Sequence, residues 1–82
     1  MTTLEKMKSV EAAMNAVFTN TGVIGYYRGE QGECVTYSYD YTTLIYDIKG
    51  QREAKERIKD AVHSLGGKII SHENYYCIIA LF

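Results

Sequence analysis

Residues 66–82 read GGKIISHENYYCIIALF, and the interpretation of the whole chain starts from this stretch. Two glycines precede a short strand-like run, a reversal at Glu73 and Asn74, and a final run over 75–82. The final run is apolar at every position apart from two phenol hydroxyls, whereas a half-exposed strand alternates apolar and polar residues. We therefore predict a hairpin whose last strand needs cover on both faces.

Two other stretches show helical periodicity. Thr2 and Glu5 have the spacing of a capping box, which predicts the start of a first helix that runs to about residues 20–22. The apolar stripe of this helix consists of Leu4, Met7, Val10, Met14, Val17 and Phe18. A second helix is predicted over 51–65, with Gly66 and Gly67 as its stop and a stripe of Ala54, Ile58, Ala61, Val62 and Leu65.

The residues between the two helices predict strands. Residues 23–28 are rich in β-branched and aromatic side chains, and the GEQG segment at 29–32 predicts a turn. From 34 to 41 the sequence alternates, with Val35, Tyr37, Tyr39 and Tyr41 on one face and Cys34, Thr36, Ser38 and Asp40 on the other, solvent side. We expect 41–48 to stay extended until Lys49 and Gly50, either as a bent continuation of this strand or as a separate paired strand.

The helix–hairpin pattern occurs twice, which suggests an internal repeat. An offset of 45 residues pairs Gly22 with Gly67, and two extra residues in the first hairpin place Cys34 on Cys77. The alternative is that any two amphipathic helix–hairpin units align equally well. Either way we predict a single α+β domain over 1–82, in which two helices pack on one face of a mainly antiparallel sheet of four or five strands. The element order is α-β-β-(β)-α-β-β.

A surplus of apolar strand surface predicts self-association. Two helices cover one face of such a sheet, and the other face meets water or a partner. By alternation, one face of the final hairpin carries Ile69, Ile78, Ala80 and Phe82, and the other carries Ile70, Cys77, Ile79 and Leu81, with Lys68, His72 and Tyr75. We predict a homodimer whose interface contains Ile70, Tyr75, Cys77, Ile79 and Leu81. The alternatives are a sheet that curls on itself or a face covered by the N-terminal arm.

A search for catalytic or metal-binding residues yields four candidates and no motif. Cys34, Cys77, His63 and His72 lack the spacing of a metal site or of a nucleophile with its base. We interpret the cysteines as small strand hydrophobes and the histidines as surface residues. We therefore predict no catalytic residue, no metal, no cofactor and no enzymatic activity. The alternative is a small-ligand or minor enzymatic site at the dimer interface, lined by these four side chains.

Eight tyrosines, with no tryptophan and no proline, are the unusual feature of the composition. Tyrosines displayed on a sheet can stack on unpaired bases, so a single-stranded nucleic-acid site could use Tyr37, Tyr39 and Tyr41 together with Arg28. Such a site also needs a basic groove, and few basic residues lie near the strands. We therefore favour packing and protein contact as the use of these rings.

Charge and length limit the classes of function. Nine Lys and Arg residues against ten Asp and Glu residues argue against a duplex-DNA binder, whose surface would carry a basic stripe. The N-terminus lacks a signal-peptide pattern, no run is long enough to span a membrane, and two cysteines without a leader predict free thiols in the cytoplasm. We expect a small non-catalytic domain with an accessory, regulatory or inhibitory role, which binds itself and a further, unidentified protein.

Overall fold

The computed structural model describes residues 1–40, 42 and 47–81. Two helices and four strands follow in the order α1 (Thr3–Asn15), β1 (Thr19–Gly29), β2 (Gly32–Asp40), α2 (Ile48–Ser64), β3 (Lys68–His72) and β4 (Tyr76–Leu81). The four strands form one antiparallel sheet in the order β1-β2-β4-β3. The predicted α+β class and order of elements are confirmed. The optional further strand would fall on 41–46, where only Thr42 is described.

α1 begins as its capping box predicts and ends earlier than its apolar stripe suggests. The Thr2 hydroxyl accepts a hydrogen bond from the Glu5 N–H at 3.2 Å, which satisfies a backbone donor of the first turn. The helix ends at Asn15 rather than at residues 20–22. Phe18, the last residue of the predicted stripe, is buried from the connecting segment, so the stripe continues beyond the helix.

The corner between α1 and β1 has its own local structure. Asn20 adopts a φ of 53°, a left-handed conformation that asparagine tolerates better than most residues, and it turns the chain into β1. The Asn15 side chain accepts a hydrogen bond from the Thr21 N–H at 3.1 Å. These two features end the helix before the glycine that the sequence suggests as its stop.

α2 begins at Ile48, earlier than predicted. The Asp47 carboxylate accepts a hydrogen bond from the Gly50 N–H at 2.8 Å and caps the helix. Ile48, Lys49 and Gly50 therefore form the first turn of α2. The prediction that the chain stays extended through Ile48 is wrong at that residue, and Lys49 and Gly50, predicted to end the strand, lie in the helix. The remainder of that predicted strand, at 41 and 43–46, lies outside the described residues.

Both helices pack on the same face of the sheet, as predicted. The buried apolar cluster draws on the helices, β2 and β4, and its members are Val10, Met14, Phe18, Val35, Tyr37, Tyr39, Ala54, Ile58, Val62, Cys77, Ile79 and Leu81. Ile69 of β3 packs against this cluster. The alternating strand β2 therefore turns its aromatic side toward the helices. Its predicted solvent side is half-buried at three positions and buried at Cys34.

The final hairpin forms as predicted, but its faces differ from the prediction. Ile69 lies opposite Ile79, and Ser71 lies opposite Ile78, with Ile70 as the extra residue between them. Because paired residues share a face, Ile69 joins Ile79 on the helix side and not Ile78 on the other. The extra residue is a β-bulge, which shifts the alternation of β3 by one position. A pattern of alternation read along the sequence does not reveal such a shift.

The helix–hairpin unit does occur twice, with an offset of 44 residues rather than the 45 and 43 that the sequence suggests. With this offset the turn at 30–31 aligns with the turn at 74–75. The residues that it pairs along the sequence are all buried: Val10 with Ala54, Met14 with Ile58, Val35 with Ile79, and Tyr37 with Leu81. Because side chains alternate between the two faces of a strand, an odd offset would align residues of the covered face in one unit with residues of the uncovered face in the other. Cys34 and Cys77 are therefore not equivalent: Cys34 lies opposite Ala80 on the uncovered face, and Cys77 lies opposite Tyr37 on the helix side.

Candidate interaction surface

β1 is the longest of the described strands, yet it contributes no side chain to the buried apolar cluster. Its apolar residues are open to solvent: the accessible fraction is 64% for Ile24, 51% for Tyr26, 46% for Tyr27 and 40% for Val23. Single exposed apolar residues are ordinary on a protein surface, whereas a contiguous group of this size marks a contact surface. β1 is therefore the first candidate for an interaction surface.

The layered arrangement explains why β1 is left bare. The two helices cover β2 and β4, which supply the sheet side chains of the buried cluster. β1 is held instead by its ladder to β2, from Thr19 opposite Asp40 to Gly29 opposite Gly32. Thr21 is its one buried residue. The position of the strand is thus fixed, and most of its side chains stay uncovered although α1 contacts it.

A polar contact fixes the side chain of Tyr26. Tyr26 lies opposite Val35 on the helix side, and it is hydrogen-bonded to the neighbouring Glu33. The Thr3 hydroxyl at the start of α1 also donates to Glu33. These two hydrogen bonds, of which the one from Thr3 has the larger effect, hold the pKa of the Glu33 carboxyl below its ordinary value. The exposed ring of Tyr26 is therefore oriented in advance, which lowers the entropic cost of a contact.

The backbone of β1 offers hydrogen bonds at its outer edge. β1 is the first strand in the sheet order, so among the described residues no strand lies beyond it. A two-residue hairpin loop closes on a hydrogen-bonded pair, here Gly29 and Gly32, and such pairs alternate along an antiparallel ladder. The N–H of Tyr27 therefore points toward β2, and those of Tyr26 and Arg28 point outward. Unpaired edges of this kind can bind another extended strand.

Irregular register limits the part of β1 that can pair. Shifts occur between Thr19 and Gly22 and between Val23 and Gly25, whereas residues 25–29 pair with β2 without interruption. Bulges bend and twist a strand and are a common protection of sheet edges. The regular segment at 25–29 is therefore the part that is best suited to pairing.

The face of the sheet opposite the helices is partly apolar. Tyr27, Ile70 and Tyr76 are exposed there or at its margin, and Ile78 is half-buried. A shallow depression beside the first hairpin turn is lined by Tyr27, Gly29, Glu30, Gln31, Cys34 and Ile70. This face adjoins β1 and extends the candidate surface.

The residues predicted for a self-association interface do not share one surface. Ile70 and Tyr75 are exposed, whereas Cys77, Ile79 and Leu81 are buried under the helices. These three side chains are not available to a partner in this fold, so the interface predicted from them is corrected here. The physical reason is that β4 is apolar on both faces, and its odd-numbered residues turn toward the helices.

The tyrosines predicted to stack on bases are mainly core residues. The ring of Tyr37 is fully buried, and its hydroxyl donates to the Met7 carbonyl at 3.0 Å. Tyr39 stacks on Phe18 with 4.1 Å between ring centroids, and its hydroxyl donates to the Glu73 carbonyl. Neither ring can receive a base. Tyr41 lies outside the described residues, and of the predicted set only Arg28 is exposed.

The four candidates for chemistry are not assembled into one site. Cys34 and Cys77 are free thiols on opposite faces of the sheet, and burial raises the pKa of Cys77 to about 12. His63 is exposed on α2, whereas His72 lies edge-on to the rings of Phe18 and Tyr39. Within 1–40, 42 and 47–81, no three His, Cys, Asp or Glu side chains form a group that could hold a metal ion.

No protein-family model matches the chain, and no curated protein or solved structure is significantly similar to it. Among the described residues, no helix combines the length and the apolar character that crossing a bilayer requires. The function is therefore argued from the geometry of β1 and the adjoining face.

The sequence did contain a signal that β1 is an apolar strand, but a search for alternating apolar and polar residues does not detect it. Residues 19–27, TNTGVIGYY, carry no charge, and the pair Tyr26–Tyr27 places an apolar residue on each face of the strand, close to the apolar pair Val23–Ile24. The final strand shows the same two-sided apolar character, and it lies second from the other edge of the sheet with both faces more protected. Strand order decides which of the two strands is exposed, and the sequence alone does not supply it.

Proposed function

We propose that this chain is a non-catalytic protein-binding domain that acts as a homodimer, and that β1 with the adjoining sheet face forms its binding surface. The observation that carries the proposal is the position of β1 outside the buried cluster with exposed apolar side chains on both faces. An accessory, regulatory or inhibitory role, with a further protein as the target, belongs to the same proposal.

The size of the exposed surface supports association. Fully burying a large apolar side chain contributes about 1.5–3 kcal/mol. Four half-exposed side chains on β1 therefore offer about 4 kcal/mol per protomer, against which the cost of association must be set. A chain of 82 residues gains proportionally more from such burial than a larger domain does.

The state of the nucleophilic and titratable groups favours binding over catalysis. A thiol reacts as the thiolate, and a pKa of about 12 keeps Cys77 protonated at neutral pH. Cys34 is buried on the other face, and His72 lies edge-on to the stacked rings of Phe18 and Tyr39. A small-ligand or enzymatic site that combines these groups would need them to approach one another, and no observation favours it.

The nucleic-acid alternative has lost its main support, because Tyr37 and Tyr39 are core residues. The cytoplasm remains the proposed location. Two free thiols on opposite faces of the sheet suit a reducing compartment, in which a disulfide is not required.

The homodimer is tested by the solution mass of the chain, measured by light scattering after size exclusion over a concentration series. We expect a mass of twice the 9.3 kDa chain at micromolar concentrations, with dissociation on dilution. A constant mass of one chain up to millimolar concentration would contradict the proposed function.

A further inference from the structure

We propose that the two copies join through their β1 strands, which pair antiparallel about a two-fold axis at Tyr27 and form one continuous eight-stranded sheet. This inference rests on the proposed homodimer and names the contact that forms it. The two-fold axis keeps both helix layers on the same side of the joined sheet.

The chemistry of the outer edge of β1 selects an extended strand as its partner. The N–H groups of Tyr26 and Arg28 point away from β2, and each peptide unit on that edge also presents a carbonyl. An extended backbone satisfies such a row of donors and acceptors, whereas a helix has already used its own groups. The bound element is therefore a strand.

The charges on β1 fit pairing with a second copy of itself. Residues 19–27 are uncharged, and Arg28 is the one charged residue of the strand. An axis at Tyr27 keeps the pairing within the regular segment 25–29, with Arg28 opposite Tyr26 of the other copy and Tyr27 opposite its own copy. No two like charges face each other, and the paired tyrosines form an aromatic cross-strand contact.

Alternative registers and the other edge are less suitable. An axis at Arg28 would place two guanidinium groups opposite each other, which is unfavourable. The edge strand β3 has five residues, carries Lys68 and is interrupted at Ile70, so it is short and charged in the manner of a protected edge. The regular segment of β1 at 25–29 is centred on the proposed axis, whereas an axis at Tyr26 would place Arg28 opposite the extra residue Ile24.

Charge substitutions at Tyr26 test this register, because that residue faces Arg28 of the other copy. Tyr26→Lys places a second positive charge opposite Arg28, and Tyr26→Glu places a negative charge there. Both variants lose the same tyrosine side chain, so the difference between them reports the charge opposite. Glu33 of the same chain favours Lys over Glu at this site and so acts in the opposite direction. Two such pairs form in each dimer, and we expect the dimer Kd of Tyr26→Lys to exceed that of Tyr26→Glu about tenfold.

Two further variants complete the test. In an Arg28→Gln background the charge opposite Tyr26 is absent, so Lys and Glu at Tyr26 should give the same Kd within about twofold. Ile48→Lys is the control, because Ile48 is an exposed isoleucine on α2, outside β1 and the adjoining sheet face. It should leave the Kd within about twofold of that of the unaltered chain. Far-UV circular dichroism checks that each variant is folded, and Tyr26→Gln replaces Tyr26→Glu if that variant is not.

The outcomes separate this inference from the proposed function. A higher Kd for Tyr26→Lys than for Tyr26→Glu, with no difference between them in the Arg28→Gln background, supports the pairing at Tyr27. Equal effects of Lys and Glu, a lower Kd for Lys, or a dimer indifferent to both overturns it while the homodimer stands. Loss of the dimer in Ile48→Lys alone also overturns it. An unaltered chain that is monomeric throughout overturns the proposed homodimer itself.

Discussion

Gly67 is a glycine at which an added Cβ atom should destabilise the fold, because the surrounding atoms leave no space for it. A Cβ built there would lie 2.8 Å from the Ala80 carbonyl oxygen and 3.0 Å from a methyl carbon of Val62. The carbonyl belongs to the backbone of β4 and cannot move without disturbing the ladder. The close approach of β3 and β4 to the end of α2 therefore requires glycine.

We expect Gly67→Ala to lower the free energy of unfolding by about 1–3 kcal/mol, as overpacking in a tight site does. Urea denaturation followed by circular dichroism measures the change. Gly22→Ala is the control, because a Cβ at Gly22 meets nothing within 4 Å. Equal stability of the two variants would mean that the contact at Gly67 is not formed.

His72 is a half-buried base with no hydrogen bond at one buried nitrogen. Its Nε2 atom finds no hydrogen-bond partner among the described residues, and its ring meets those of Phe18 and Tyr39 edge-on. Burial, with a smaller contribution from the charge of Lys55, lowers the pKa of His72 to about 4. The neutral imidazole is therefore the form that the fold accommodates.

A lowered histidine pKa makes stability depend on pH with a defined sign. Below pH 6.5 the unfolded chain binds a proton that folded His72 does not bind until pH falls to about 4. Stability is therefore complete above pH 6.5 and is lost as pH falls from 6.5 to 4. Allowing for the partial exposure of the ring, we expect a loss of about 1–2 kcal/mol over this window.

Replacement of His72 should remove that dependence. Urea denaturation of His72→Gln at pH 7, 5.5 and 4.5 should show a smaller decline than that of the unaltered chain, and His63→Gln, on the exposed side of α2, should retain the full decline. An identical decline in all three proteins would exclude His72 as its source.

At the scale of elements, β4 is one of the two strands that supply side chains to the core, together with β2. Ile79 is fully buried against the helices, whereas its neighbour Ile78 is half-buried on the opposite face. We expect Ile79→Ala to cost about 2–5 kcal/mol of unfolding free energy and Ile78→Ala clearly less, as measured by urea denaturation. A larger loss at Ile78 would place the helices on the other face. Ile79→Asp should unfold the chain and not separate two folded copies.

The sequence predicts the elements well because each has local signals. Helical periodicity, the capping residue Thr2 and the glycines at 66–67 mark α1 and α2, and the two reversals mark the hairpins. The end of α1 could not be read, because Phe18 packs in the core from outside the helix and extends the apolar stripe. A local apolar pattern indicates which residues are buried, and a buried residue such as Phe18 need not lie in a helix.

The candidate surface was less predictable than the fold. β4 is apolar on both faces, so alternation could not say which side meets the helices, and the bulge at Ile70 displaced the faces of β3. The same ambiguity directed the prediction to Cys77, Ile79 and Leu81 and away from β1. Sheet order is a long-range property, and only the folded chain shows that β1 lies at an edge.

At the scale of the molecule, the two helix–hairpin units have the same order of elements but differ in how far the core covers their outer strands. α2 is 17 residues long and α1 is 13, and the outer strand of the second unit contributes Ile69 to the core margin. The outer strand of the first unit, β1, contributes nothing to the buried cluster. The outer strand of the second unit is thus partly covered by the core, and the outer strand of the first unit is exposed. We propose that the partner binds at this exposed edge.

The most direct test of this account is residue-resolved amide hydrogen exchange by NMR, at a concentration where the dimer forms and at one where it dissociates. The N–H groups of Tyr26 and Arg28 should exchange slowly in the dimer and fast after dilution, because they point to the outer edge. The N–H of Tyr27, which points to β2, should stay slow at both concentrations. Exchange at Tyr26 and Arg28 that does not change with concentration, while the mass of the particle does, would contradict the account.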